Sequence, residues 1–119
     1  MTRKELIHFC LSFPAVYEDY PFDDIVSASA WTVMRHRANK KSFALIYERG
    51  GNLCINLKCE PVAADFLRQA FQSVTPAYHM NKVHWNTVTL GGDVPEEILA
   101  DMISASYRLT EPKSRKRGK

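Results

Sequence analysis

Eleven consecutive residues, Tyr78 to Val88, hold two aromatic rings (Tyr78, Trp85), two imidazoles (His79, His84), two carboxamides (Asn81, Asn86) and the ammonium of Lys82. Such a set suits two kinds of chemistry. Aromatic faces stack nucleobases, a carboxamide pairs bidentately with adenine, and an ammonium neutralises phosphate. An imidazole can also exchange a proton near neutral pH, which makes His79 or His84 the candidate base of an enzyme. A second group, Arg35, Arg37, Lys40 and Lys41, flanks a polar turn. It suits phosphate contacts that position a protein without reading sequence. Each side chain also has a plain structural use. Aromatics pack on helices, amides and imidazoles satisfy irregular backbone, and basic residues on strand edges discourage aggregation. The density of polar groups in the first segment favours a functional surface.

Other chemistries lack their residues. The chain has no Gly-x-Gly-x-x-Gly, Walker A, Gly-x-Ser-x-Gly or His-Glu-x-x-His pattern. Gly91-Gly92 precedes a helix start, but Asp93, Glu96 and Glu97 would repel a phosphate there. Glu18, Asp19, Asp23 and Asp24 lack the glycine and terminal glutamate of a calcium loop and read as solvated charges. Cys10, Cys54 and Cys59 form no Cys-x-x-Cys pair and read as reduced, mostly buried thiols. His8, His36, His79 and His84 are scattered without ligand spacing, so neither a metal nor another cofactor is expected.

The elements that must carry these groups follow from periodicity. A capping box at Thr2 and Glu5 opens a helix whose Leu6, Phe9, Cys10 and Phe13 share one face, and Pro14 stops it. Residues 15–29 read as irregular and acidic, anchored by Tyr17, Tyr20, Pro21 and Phe22. Three strands follow: Trp31 to Arg37; one with Phe43, Leu45 and Tyr47 on a single face; and, after the Gly50-Gly51 turn, one with Leu53, Ile55 and Leu57 opposite Cys54, Asn56 and Lys58. Pro61 starts a second helix, with Val62, Ala63, Phe66, Leu67, Ala70 and Phe71 to one side and Asp65, Arg68 and Gln69 outside. A short strand at Ser73–Thr75 and another at His84–Leu90 precede a third helix. That helix begins near Asp93 and Glu96, buries Ile98, Leu99, Met102, Ile103, Ala105 and Tyr107, and ends at Pro112.

At 119 residues and 45% hydrophobic, the chain suits one α+β domain, here 1–112, with an antiparallel sheet covered by helices. The apolar run after the basic start is broken by His8 and Ser12 with no cleavage site following, so a cytoplasmic location is expected. The formal charge of +3 misleads. Lys113, Arg115, Lys116, Arg117 and Lys119 carry five of the 16 basic charges, which leaves 11 against 13 acidic, or −2, for residues 1–112. Within that body, residues 31–90 hold eight basic against three acidic side chains. The tail, 113–119, has no apolar residue and is expected to be flexible.

The chain resembles the MmcQ/YjbR-like family of small bacterial proteins. The resemblance rests on Pro76-Ala77-Tyr78-His79-Met80-Asn81-Lys82 followed by His84-Trp85-Asn86-Thr87. It is supported by Glu18-Asp19-Tyr20-Pro21-Phe22, Lys41-Ser42-Phe43-Ala44, Leu53 to Lys58, Pro61 and Ile103 to Tyr107, and spans roughly residues 4–110. It implies a two-layer fold of order α-β3-α-β2-α, similar to CyaY and to secretion chaperones. It also implies a non-enzymatic DNA-binding role through two hairpins in a double-wing arrangement, a label that rests on fold analogy. Iron binding of the CyaY kind does not follow, because the first helix has only Glu5 as an acid. The expectation is a monomeric, weakly sequence-specific DNA binder. Its site combines Arg35, Arg37, Lys40 and Lys41 of the first hairpin with Tyr78, His79, Asn81, Lys82, His84 and Trp85 of the second. The alternative is a chaperone-like module that holds a peptide on the open sheet face.

Overall fold

The computed structural model of the chain describes residues 1–21, 31–77 and 80–113. Along them run α1 (Arg3–Leu11), β1 (Val16–Asp19), β2 (Thr32–His36), β3 (Ser42–Arg49), β4 (Asn52–Lys58), α2 (Pro61–Ala70), β5 (Val74–Pro76), β6 (Trp85–Thr89) and α3 (Glu96–Thr110). The class is α+β. One six-stranded antiparallel sheet, ordered β1-β2-β3-β4-β6-β5, carries the three helices on one face.

The expected order α-β3-α-β2-α lacks one strand. Val16 to Asp19, expected to be irregular, pair with His36 to Val33 and form an edge of the sheet. Its charges concealed it, because Glu18 and Asp19 sit on an edge strand, where carboxylates stay solvated. The expected anchors fall on both sides of the boundary: Tyr17 is half-buried, Tyr20 and Pro21 are exposed, and Phe22 lies outside the described residues.

A register shift corrects a second expectation. Met34 opposes Ala44 whereas Arg35 opposes Ser42, so Phe43 is an extra residue in β3. This bulge turns the Phe43 ring to the helix side, onto His36 and Tyr107, while Leu45 and Tyr47 stay on the other face. Leu53, Ile55 and Leu57 share the helix side as strand alternation requires, with Cys54, Asn56 and Lys58 opposite.

The helices follow their local signals unevenly. Thr2 and Glu5 form the full capping box, with the Glu5 amide 3.1 Å from Thr2 Oγ1 and the Thr2 amide 2.8 Å from Glu5 Oε1. Asp93 does not cap α3. Its carboxylate accepts from the amides of Gln72 and Ser73 at 2.8 and 2.9 Å, and the Ser73 bonds above all hold it below the usual carboxyl range. In α3, Ala105 is exposed whereas Ser106 and Thr110 are buried. Ser106 Oγ donates to the Phe43 carbonyl (2.6 Å) and accepts from the Lys58 amide (2.8 Å), which stitches α3 to the bulge. In α2 the buried residue is Ala64, with Leu67 and Arg68 half-buried; Val62 and Phe66 are 84% and 67% exposed. Among the described residues, no helix is long and apolar enough to cross a membrane.

One buried group makes stability depend on pH. His36 lies between the rings of Phe43 and Tyr107 with Nε2 2.8 Å from Thr110 Oγ1, and burial pushes its pKa down despite the attraction of Glu111. A lowered folded pKa means that the unfolded chain binds the proton more readily. Stability is therefore lost as pH falls below about 6.5, at up to ~1.4 kcal/mol per pH unit, until the folded pKa is reached. Urea midpoints at pH 7.5 and 5.5 should show that drop, and His36→Gln should shrink it. An equal drop in the variant would assign the effect to other groups.

Candidate nucleic-acid interface

Strand direction determines which loops meet. The turn at 37–41, the end of β4, the start of α2, the connection at 81–84 and the C-terminus of α3 all lie at one end of the sheet, termed the lower end. Asn39 Nδ2 donates to the Thr110 carbonyl (3.1 Å) there, tying turn to helix. Arg37, Lys40, Lys41, Lys58, Lys82, Arg108 and Lys113 project from this end, with Glu60 and Glu111 as the acids. The upper end carries Glu5, Glu18, Glu48, Asp93, Glu96 and Glu97 against Arg3, Lys4 and Arg49. Among the described residues, charge is thus strongly segregated between the two ends. Arg108 and Lys113 complement the negative end of α3, a sufficient structural reason for those two. No such reason covers Lys40, Lys41 or Lys82.

The expected site residues divide into three groups. Arg37, Lys40, Lys41, Asn81, Lys82 and His84 are exposed at the lower end. Arg37 also lies over the Tyr17 ring, 5.8 Å from its centroid. Lys40 has φ +63°, and Asn39 Oδ1 accepts from the Lys41 amide (3.0 Å), so the turn holds both ammonium groups outward on a defined backbone. Asn81 Oδ1 likewise accepts from the Val83 amide (2.9 Å). Arg35 is half-buried and bonded within the fold. Its Nε donates to Asp19 Oδ2 at 2.8 Å and its Nη1 to the Lys40 carbonyl at 3.0 Å, so it braces β1 and the turn. Trp85 is half-buried opposite Lys58 on the face away from the helices. Tyr78 and His79 lie outside the described residues.

Arg68, expected on the solvent side of α2, positions the second loop. Its Nε donates to Asn86 Oδ1 (2.6 Å), and its Nη2 donates to the carbonyls of Lys82 and, at 3.4 Å, Trp85. Asn86, fully buried, passes its own Nδ2 to the Ala64 carbonyl (3.3 Å). Helical spacing had no means of showing this, because the acceptors are 14 to 18 residues away.

The face away from the helices is not an open platform. Val33, Leu45, Tyr47, Asn56 and Thr87 are all buried, and Trp31 stacks on Tyr47 at 4.0 Å with the rings 7° from parallel. At its centre Asn56 Oδ1 accepts from Tyr47 Oη (2.8 Å) and Thr87 Oγ1 (2.6 Å), a polar knot across β3, β4 and β6. Cys10 and Cys59 are not poised as nucleophiles. Burial pushes Cys10 up to about 12 and raises Cys59, so both stay protonated near neutral pH.

The family model described as YjbR matches residues 11–109, nearly the whole folded chain. The chain belongs to the YjbR family. It is 31% identical over 108 residues to the protein YjbR of Escherichia coli strain K12, covering 91% of this chain and 86% of that one. The Bacillus subtilis protein YyaQ is 29% identical over 121 residues, covering 93% and 99%. A crystal structure of a Pseudomonas syringae protein superposes with a TM-score of 0.80 at 30% identity, over 93% of this chain and all of that one. The Deinococcus radiodurans protein DR2400 gives 0.77 at 37% identity, over 91% and 77%.

Proposed function

We propose that the chain is a non-enzymatic DNA-binding protein whose interface is the lower end of the sheet. The observation that carries this reading is the segregation of charge. Two loops far apart in sequence, 37–41 and 81–84, bring Arg37, Lys40, Lys41 and Lys82 to one end, joined by Lys58 and Arg108. The loops stand about two to three strand spacings apart, on the order of 10 to 15 Å, which suits phosphates flanking a groove. Asn81 and His84 are the exposed side chains there that could reach base edges, while the lysines position the protein without specifying sequence. Arg35 contributes through the turn that it braces. The peptide-binding alternative has less support, because the sheet face it needs is buried at Val33, Leu45 and Tyr47.

The basic tail would bind any polyanion, so the informative comparison uses chains ending at Pro112. Such a chain should retain salt-dependent affinity for duplex DNA. The triple change Lys40→Ala, Lys41→Ala, Lys82→Ala should reduce the log–log salt slope by about 2 to 3, at roughly 0.9 per phosphate contact. No binding by the truncated chain at low salt, or an unchanged slope in the triple variant, would remove the lower end as a DNA site.

A further inference from the structure

Helices α2, over β5 and β6, and α3, over β3 and β4, run antiparallel without closing on each other. Between them lies a largely apolar cavity of about 270 Å³ lined by Leu57, Ala63, Leu67, Ile98, Met102 and Ala105, continued by one of about 330 Å³ whose lining adds Glu60, Arg108 and Leu109. Leu109 on its edge is 40% exposed, and on α2, next in sequence to the lining residues Ala63 and Leu67, Val62 and Phe66 stand 84% and 67% exposed. A phenylalanine and a valine one turn apart, both in water on the same helix that lines the slot, form an exposed apolar patch. Rotation of α2 so that Ala64 and Arg68 face inward is what places them there.

We propose that this helical face pairs two copies of the chain, antiparallel, about a twofold axis crossing α2 and α3. Charge selects the occupant. The exposed stripe of α3 reads Glu97, Asp101, Arg108, acidic at the upper end and basic at the lower. An antiparallel twofold sets Arg108 of each copy against Glu97 and Asp101 of the other, and brings α2 onto α2 with the two Phe66 rings near the axis. A self-complementary patch of this kind is what an isologous interface requires. The footprint, about 20 Å along the helices and about 20 Å across two of them, is roughly 400 Å², about half of what a standard interface takes from each partner, which suits a weak pairing. Arg108 enters both readings, but Lys40, Lys41 and Lys82, on which the DNA test rests, stay open at both poles, so the two readings fail in different variants.

Sedimentation equilibrium of the full chain tests the pairing. The wild type should be dimeric at high micromolar concentration. Phe66→Asp should weaken the dimer about 100-fold, the scale of a lost interface anchor, with an unfolding midpoint unchanged at dilutions where both proteins are monomeric, because the ring is exposed. Arg108→Glu and the double variant Glu97→Lys, Asp101→Lys should each be monomeric alone. Mixed in equal amounts, they should form a heterodimer, since both half-sites regain opposite charges. A wild type that stays monomeric to about 1 mM, or charge variants that fail to pair on mixing, would overturn the proposal and leave the slot to a foreign apolar partner.

Discussion

Asn56→Leu is expected to lower stability by about 3 kcal/mol at pH 7. The side chain is fully buried, and its Oδ1 is the shared acceptor of the Tyr47 and Thr87 hydroxyls. Leucine keeps the branched skeleton of asparagine and is bulkier, so no cavity forms and the loss comes chiefly from two buried donors deprived of their acceptor, at about 1 to 3 kcal/mol each. The same physics predicts non-additivity. Adding Tyr47→Phe and Thr87→Val removes the two hydroxyls that lost this acceptor as well, so the triple variant should lose less than the three single losses combined. Urea unfolding of all four variants measures this. A triple variant whose loss equals the sum would show that the three side chains act independently, against the shared-acceptor geometry.

Arg68→Ala should cost about 2 to 3 kcal/mol and, more tellingly, should loosen the second loop of the proposed interface. Arginine is required by geometry: one planar fork reaches Asn86 Oδ1 and the carbonyls of Lys82 and Trp85. Hydrogen bonds to a charged donor are worth about 1.5 to 3 kcal/mol, and loss of the first leaves the buried Asn86 carbonyl short of a partner. Arg68→Lys should rescue little, because a point ammonium cannot span three acceptors. Amide hydrogen exchange should accelerate at 81–86 in both variants while the α1 amides keep their protection. Uniform acceleration across the chain would mean that Arg68 contributes only to global stability. If the lower end binds DNA, Arg68→Ala should also weaken binding without removing any charge that contacts it.

Arg35 illustrates how one residue type can hold two positions. Its neighbours Arg37 and Lys41 are exposed, whereas Arg35 is half-buried and spent on Asp19 and the Lys40 carbonyl. Arg35→Ala would therefore disturb the turn, and a loss of DNA affinity in that variant would report geometry rather than a missing phosphate contact.

Sequence alone determined the features whose causes are local. The capping box at Thr2 and Glu5, Pro61 in the first turn of α2, the Gly50-Gly51 turn and the alternation of Leu53, Ile55 and Leu57 each depend on residues within a few positions of one another. The family was legible for the same reason, because a contiguous run from Pro76 to Thr87 carries it. The basic loops were also visible as loops. What tertiary structure decided is everything set by partners distant in the chain. Pairing with β2 made Val16 to Asp19 a strand, and the register shift sent Phe43 to the helix side. Acceptors on the 82–86 segment drew Arg68 inward and left Val62 and Phe66 in water. Helical and strand periods report which residues share a face. They do not report which face is turned to the core when a buried hydrogen-bond network, rather than apolar area, sets the rotation.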